Sequence, residues 1–309
     1  MTVMAPLFSR VLRHWAHTDK APGYLYAFCD RYGKYLYNGQ LQNGYLPNGC
    51  QIPCDVRDHV QRQIWLYGVY EPVEAYLFQH FLKPEMVVFD IGANVGQYSL
   101  LAATAVGPKG QVFGFEAQPD NYLKFRAHCQ QNDQWGNIFP QQLAVWSENV
   151  LLEMKMPSGM SDNAGSYYAQ KTNEASVNKV QAIRLDDFVT KNNIQRLDLI
   201  KMDIEGAESF ALDGALETLK RFHPVIFIEI NKTALAKMAC LPEMISEKLF
   251  SLGYQAFKMG HSAETSGPIQ DLRNIQQSNL IFHKEPLPAN VLAGWNLKTA
   301  LRWARQGWK

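Results

Sequence analysis

The residues with the clearest chemical meaning run from 90 to 96: Asp90-Ile91-Gly92-Ala93-Asn94-Val95-Gly96. Glycines here let the backbone turn sharply and approach a ligand with no Cβ in the way. A helix that starts behind them offers unpaired N–H groups. A dinucleotide-binding loop uses those groups for pyrophosphate and spells G-x-G-x-x-G. This loop instead spells D-x-G-x-N-x-G. An acid two residues before the first glycine repels a pyrophosphate. It suits a zwitterion with an ammonium and a sulfonium centre, which is what separates S-adenosylmethionine from a nicotinamide dinucleotide. Glu116 closes the next apolar run, the place for an acid that accepts hydrogen bonds from ribose hydroxyls. The competing reading is a tight strand-to-helix turn with no cofactor, and a surface acid at 116.

Methyl transfer from such a donor is an in-line displacement, so the protein must align an acceptor and manage its proton. A hydroxyl acceptor needs a base or a metal. Asp203, Glu205, Glu208 and Glu229 are the candidates, because all lie at or just beyond the ends of apolar runs. Glu208 reads equally as a helix-start acid. Lys201 shares a strand face with Asp203 and reads as its partner. His261 is the histidine placed at the ligand end of the sheet. His80 and His128 fall within helices, and His223 lies at a strand start. Oxygen ligands at Asp203 and Glu229 would suit magnesium if a metal takes part; base or orienting duty for either residue is the simpler reading, and no dedicated metal site is expected. Tyr98 is placed at the methionine end of the cofactor, and Trp146 reads equally as a residue near its adenine or as a packed core tryptophan.

The elements that must position these groups alternate from residue 71 onward. Apolar runs MVVFDI, QVFGFE, NIFPQQLAV, LDLIKMDI and PVIFIEI read as buried strands. Helical stretches lie between them, several opened by proline at 72, 119 or 242. ESFALDGALETLKRF reads as one helix, VLLEMKM as an extra strand beside the sheet, and YQAFKM and NLIFHK as late strands. Such alternation predicts an α/β fold with a mostly parallel, doubly wound sheet of about seven strands and right-handed crossovers. Ligands then bind beyond the carboxyl ends of the strands. Residues 157–178, with Tyr167 and Tyr168, read as a long polar loop and a candidate lid. Residues 1–20 read as an amphipathic helix, the aromatic stretch after them as a small β meander, and the Trp-rich tail as a helix. The division expected is an N-terminal extension over 1–67, a catalytic domain over 68–285 and a helical tail over 286–309.

With 309 residues and 47% hydrophobic content, the chain can bury a full core. Its net charge of +1 and 19% charged residues argue against an electrostatic nucleic-acid binder. No apolar run reaches the ~20 residues that span a bilayer. Arg10 and Arg13 interrupt any secretory leader, so a cytoplasmic protein is expected. Five dispersed cysteines fit a reducing compartment and no disulfide framework. Cys50 and Cys54 lack a second pair that would complete a zinc site. The aromatic extension and the tail are expected to cover the acceptor site, pack on the core, or form a homodimer contact.

Several segments in order resemble the FkbM-type methyltransferases: VVFDIGANVGQYSL, VFGFEAQPDN, LAVWSE, IRLDDFV, DLIKMDIEGAE and PVIFIEIN, with GVYEP upstream. The resemblance covers residues 68–285. It implies a Rossmann-like class I methyltransferase fold and S-adenosylmethionine as donor. It also implies O-methylation of a small hydroxylated acceptor, a sugar, polyketide or other secondary metabolite. The cofactor contacts it implies are Glu71, Asp90, Gly92, Asn94, Gly96, Tyr98, Glu116, Trp146 and Asp203. N- or C-methylation, and cofactor binding without turnover, are the alternatives.

Overall fold

The computed structural model describes residues 39–155, 168–171, 179–259, 267–287 and 296–307, together with Val11, Leu12, His14, Trp15, Ala16, Tyr24, Phe28, Arg31 and Tyr32. Two strands come first, β1 (Gln42–Tyr45) and β2 (Gln51–Cys54), paired antiparallel. Next come β3 (Val87–Ile91), β4 (Gln111–Phe115), β5 (Ile138–Gln141) and β6 (Ala144–Val145). Then β7 (Val150–Lys155), β8 (Tyr168–Lys171), β9 (Lys179–Ile183), β10 (Leu199–Met202) and β11 (Val225–Asn231) follow. The last are β12 (Gln255–Lys258), β13 (Gly267–Ile269) and β14 (Gln277–His283).

The central sheet has the spatial order β13-β12-β14-β11-β10-β3-β4-β5. Strands β5, β4, β3, β10 and β11 are parallel, and β14 enters antiparallel beside β11. The chain leaves β3 toward β4 and later returns to β10 on the other side of β3. The carboxyl ends of β3 and β10 therefore flank the switch point where such sheets hold ligands.

All five residues of β3 are buried, as a strand covered on both faces requires. Its side chains alternate between two cores. Val88 faces the cluster that contains helices Pro72–Phe81 and Gln97–Val106. Val87, Phe89 and Ile91 face the cluster that contains Leu185, Phe188 and Leu212. Residues Leu46 to Tyr67, including the helix His59–Tyr67, share the first of these cores. Helix Leu297–Ala304 packs there too, through Ala300, Leu301 and Ala304.

The α/β, mostly parallel doubly wound sheet is the one expected, with eight strands where about seven were predicted; the extra one is the three-residue edge strand β13. Other expectations change. The run NIFPQQLAV divides into β5 and β6, and β6 joins a separate four-stranded sheet of order β6-β9-β7-β8. Strand β7 belongs to that sheet and not to the central one. Part of the expected lid, Tyr168–Lys171, is the strand β8 paired with β7; residues 157–167 and 172–178 lie outside the described residues. The helix expected over 208–222 breaks at Gly214, where a Cβ would strike the carbonyl of Trp146. Tyr24, Phe28, Arg31 and Tyr32 are helical, not β. Among the described residues, no helix is long and apolar enough to cross a membrane.

Candidate active site

An open cleft lies over the carboxyl ends of β3, β4 and β10. Gly92, Ala93, Asn94, Glu116, Trp146, Lys201, Asp203, Glu205 and Glu229 are among the residues that line it. The loop after β3 is held by the end of β4. The N–H groups of Gly92 and Ala93 both donate to the carbonyl of Phe115 at 2.9 Å. The N–H of Asn94 donates to Oε2 of Glu116 at 2.7 Å, and that of Gln118 to Oε1 at 2.8 Å. Three successive loop donors are thus consumed within the protein, so this turn offers no nest for a pyrophosphate. Each Glu116 oxygen keeps a lone pair for a further donor. Burial pushes the Glu116 carboxyl up to about 7, against the two backbone hydrogen bonds that favour its charge.

Gly92 needs its glycine twice. Its φ is +88°, and a Cβ would collide with the carbonyl oxygen of Asp203. The loop after β3 therefore touches the end of β10 backbone to backbone. Three residues around the site hold positive φ without being glycine: Glu71 at 50°, Asn94 at 50° and Glu205 at 53°. Such conformations cost energy and persist where the surroundings enforce them.

At the acid end, burial raises the Glu229 carboxyl strongly, the charge of Asp203 adds to this, and the two side chains share a hydrogen bond. Gln277, on the neighbouring β14, donates to Oε1 of Glu229 at 2.7 Å. Asn279, two residues on, donates to Oε1 of Glu71 at 3.1 Å. Burial likewise raises Glu71, with the nearby charge of Glu74. Lys201 is 3% exposed and pairs with Oδ2 of Asp203 at 3.5 Å, so a fixed positive charge faces the acids. Burial pushes Glu205 up to about 7, assisted by the charges of Asp203 and Glu208.

The cleft therefore gathers Gly92, Asn94, Tyr98, Glu116, Trp146, Asp203, Glu205 and Glu229, all singled out in the sequence. Three expected contacts stand behind its wall instead. Asp90 is 1% exposed and accepts from the Ser99 hydroxyl at 2.7 Å, which pins β3 to helix Gln97–Val106. Gly96 makes room for the Phe125 ring, not for a ligand. Glu71 reaches the acids but leaves the lining to Tyr70, whose backbone is locked by two hydrogen bonds to the Gln97 amide, at 2.6 and 2.9 Å. Trp146 stacks on Phe210 at 4.2 Å, so one indole face is already covered. Glu208 is 2% exposed and accepts from the N–H groups of Ile204 and Gly206, holding the turn after β10. His128 is buried against the carbonyl of Val95. His261 lies outside the described residues. Gln277, Asn279 and Gln97 were not foreseen; a single amide carries no motif. Among the described residues, no group of three or more His, Cys, Asp or Glu side chains is spaced to hold a metal ion.

Residues 90–256 match the family model described as the methyltransferase FkbM domain. The chain is 29% identical over 155 residues to the 2-O-methyltransferase NoeI of Sinorhizobium fredii, which covers 45% of this chain and 61% of that protein. It is 24% identical over 145 residues to the hexuronic acid methyltransferase AglP of Haloferax volcanii, covering 47% and 56%. The chain thus spans about three fifths of the length of these curated relatives. Among solved structures it resembles methyltransferase FkbM from Methylobacillus flagellatus KT, with a TM-score of 0.41 at 14% identity over 73% of this chain and 55% of that one.

Proposed function

Because the chain belongs to the methyltransferase FkbM domain family, we propose that it transfers a methyl group from S-adenosylmethionine to a hydroxyl of a small polyhydroxylated molecule. One observation carries this reading: a single cleft joins a backbone-oriented carboxylate, Glu116, to a carboxyl pair, Asp203 and Glu229, across a loop that cannot cradle pyrophosphate.

The residues fit the donor. Glu116 has acceptor capacity for ribose hydroxyls. Leu143, Ala144 and Trp146 provide an apolar surface for the base. Gly92 and Ala93 allow close backbone approach, and Tyr98 and Asp203 border the amino-acid end. When bound, the cofactor supplies an activated methyl group on a sulfonium. Everything else falls to the chain. Asp203 and Glu229 orient the acceptor hydroxyl, Asp203 takes up its proton, and Gln277 fixes Glu229 in place. Positioning of this kind supplies much of the rate of a displacement that needs little further activation. The names of the two relatives, a 2-O-methyltransferase and a hexuronic acid methyltransferase, favour a sugar-like acceptor.

The test has two stages. Calorimetry with the full chain should show saturable binding of S-adenosylmethionine and none of NAD. Methyl-labelled donor should then label at least one member of a panel of neutral glycosides, uronates and polyketide alcohols. Binding of NAD in place of the donor would sink the reading, as would a cofactor-bound protein that labels no hydroxyl but labels amines.

A further inference from the structure

The Lys201 ammonium is buried, yet it makes no hydrogen bond to any described residue. Its 3.5 Å ion pair with Asp203 is longer than the about 2.7–3.2 Å of a formed hydrogen bond. The Tyr98 ring lies 5.0 Å from the nitrogen and satisfies no N–H directionally. An ammonium carries three donors, and leaving them unmet in a buried place is unfavourable. Lys201 is also part of the wall of the cleft. Its idle donors therefore border the space a ligand enters.

Two ligand groups present oxygen there, the carboxylate of the cofactor and the hydroxyl of the acceptor. The charges around Lys201 separate them. Asp203, Glu71, Glu229 and Asp90 all act on its ammonium. Asp203 is the carboxylate paired with that ammonium, and a further carboxylate placed beside it meets like charge. A neutral hydroxyl does not, and the negative charge that grows on it as it loses its proton is what a fixed ammonium stabilises. We infer that Lys201 is a catalytic residue, whose ammonium donates a hydrogen bond to the acceptor oxygen and steadies that oxygen as its proton leaves. This rests on the reading of the cleft as a methyl-transfer site. The proton passes to a carboxylate oxygen of Asp203, the O–H electron pair stays on the acceptor oxygen, and Lys201 keeps all its protons throughout.

The probe is 4-nitrophenol, whose anion is coloured, titrated in the presence of the full chain and S-adenosylhomocysteine. Wild type should bind it saturably and lower its ionisation midpoint by about one pH unit, a tenfold gain in the ionised-to-neutral ratio. Lys201→Met should abolish that shift, Lys201→Arg should retain part of it, and both should bind S-adenosylmethionine within about threefold of wild type. A shift that persists in Lys201→Met overturns the inference, and so does a wild type that leaves the probe unshifted or unbound. A tenfold or greater loss of S-adenosylmethionine affinity in Lys201→Met also overturns it, by assigning the ammonium to the cofactor. If Lys201→Met fails to fold, the probe shift in wild type against Lys201→Arg decides: an unchanged shift on moving the charge overturns the proposal. Cofactor calorimetry on wild type distinguishes the two claims: a shifted probe without cofactor binding would defeat methyl transfer from S-adenosylmethionine while leaving Lys201 as an oxyanion-binding group.

Discussion

The backbone N–H of Asn94 and the carboxylate of Glu116 meet at 2.7 Å, which makes the turn after β3 and the end of β4 one unit. The same carboxylate is the group proposed to receive the ribose. Replacing Glu116 with alanine removes both functions. S-adenosylmethionine affinity measured by calorimetry should fall about 10- to 100-fold, the worth of hydrogen bonds to a charged group. Unchanged affinity would place the ribose elsewhere.

Gly92→Ala should cost the fold more than any surface change. The new Cβ meets the Asp203 carbonyl, and the residue must also keep a φ of +88°. Together these should destabilise by roughly 3 kcal/mol, read as a lowered denaturation midpoint. A variant of wild-type stability would show that β3 and β10 do not touch through this loop.

The buried acids make stability depend on pH in an unusual direction. Burial holds Asp90 at about 6, and Glu116 and Glu208 at about 7, above their ordinary values of 3.8 and 4.5. Between the ordinary and the raised values the folded chain binds more protons than the unfolded one, so stability falls as pH rises through that window. The ligand-free protein should therefore melt lower at about pH 8 than at about pH 5.5. Glu116→Gln removes one contributor and should flatten the dependence. A melting temperature that climbs over this range would contradict it.

Gln277 is a positioning residue: it touches Glu229 at 2.7 Å and is not part of the cleft wall. Gln277→Leu should lower kcat about tenfold, the scale of one lost orienting hydrogen bond. Cofactor affinity should stay as it is. A change confined to cofactor binding would refute the assignment.

The proposed donor half of the site could be read from the sequence because its residues are close together in the chain. A glycine spacing, an acid at a strand end and a helix behind them are written within residues 90–116, and the structure brings Gly92, Asn94 and Glu116 to one cleft. Asp90 shows where local reading overreaches: its acid was assigned to a ligand, and Ser99, nine residues on, takes it instead. Gly96 was likewise read as ligand-facing when it accommodates Phe125, which no spacing rule connects to it. The acceptor half depends on register. Asn279 stands opposite Glu229 across an antiparallel pair, and nothing in either segment announces the other. The four-stranded side sheet was missed for the same reason, since β7 alternates well enough to join either sheet.

Glu71 and Asn279 bond to each other across 208 residues, and both lie outside the 90–256 stretch that carries the family match. The matched stretch thus includes Gly92, Asn94 and Glu116 but not this clamp on the acids. A fragment trimmed to the shared stretch would keep Glu116 and Asp203 and lose both ends of the clamp.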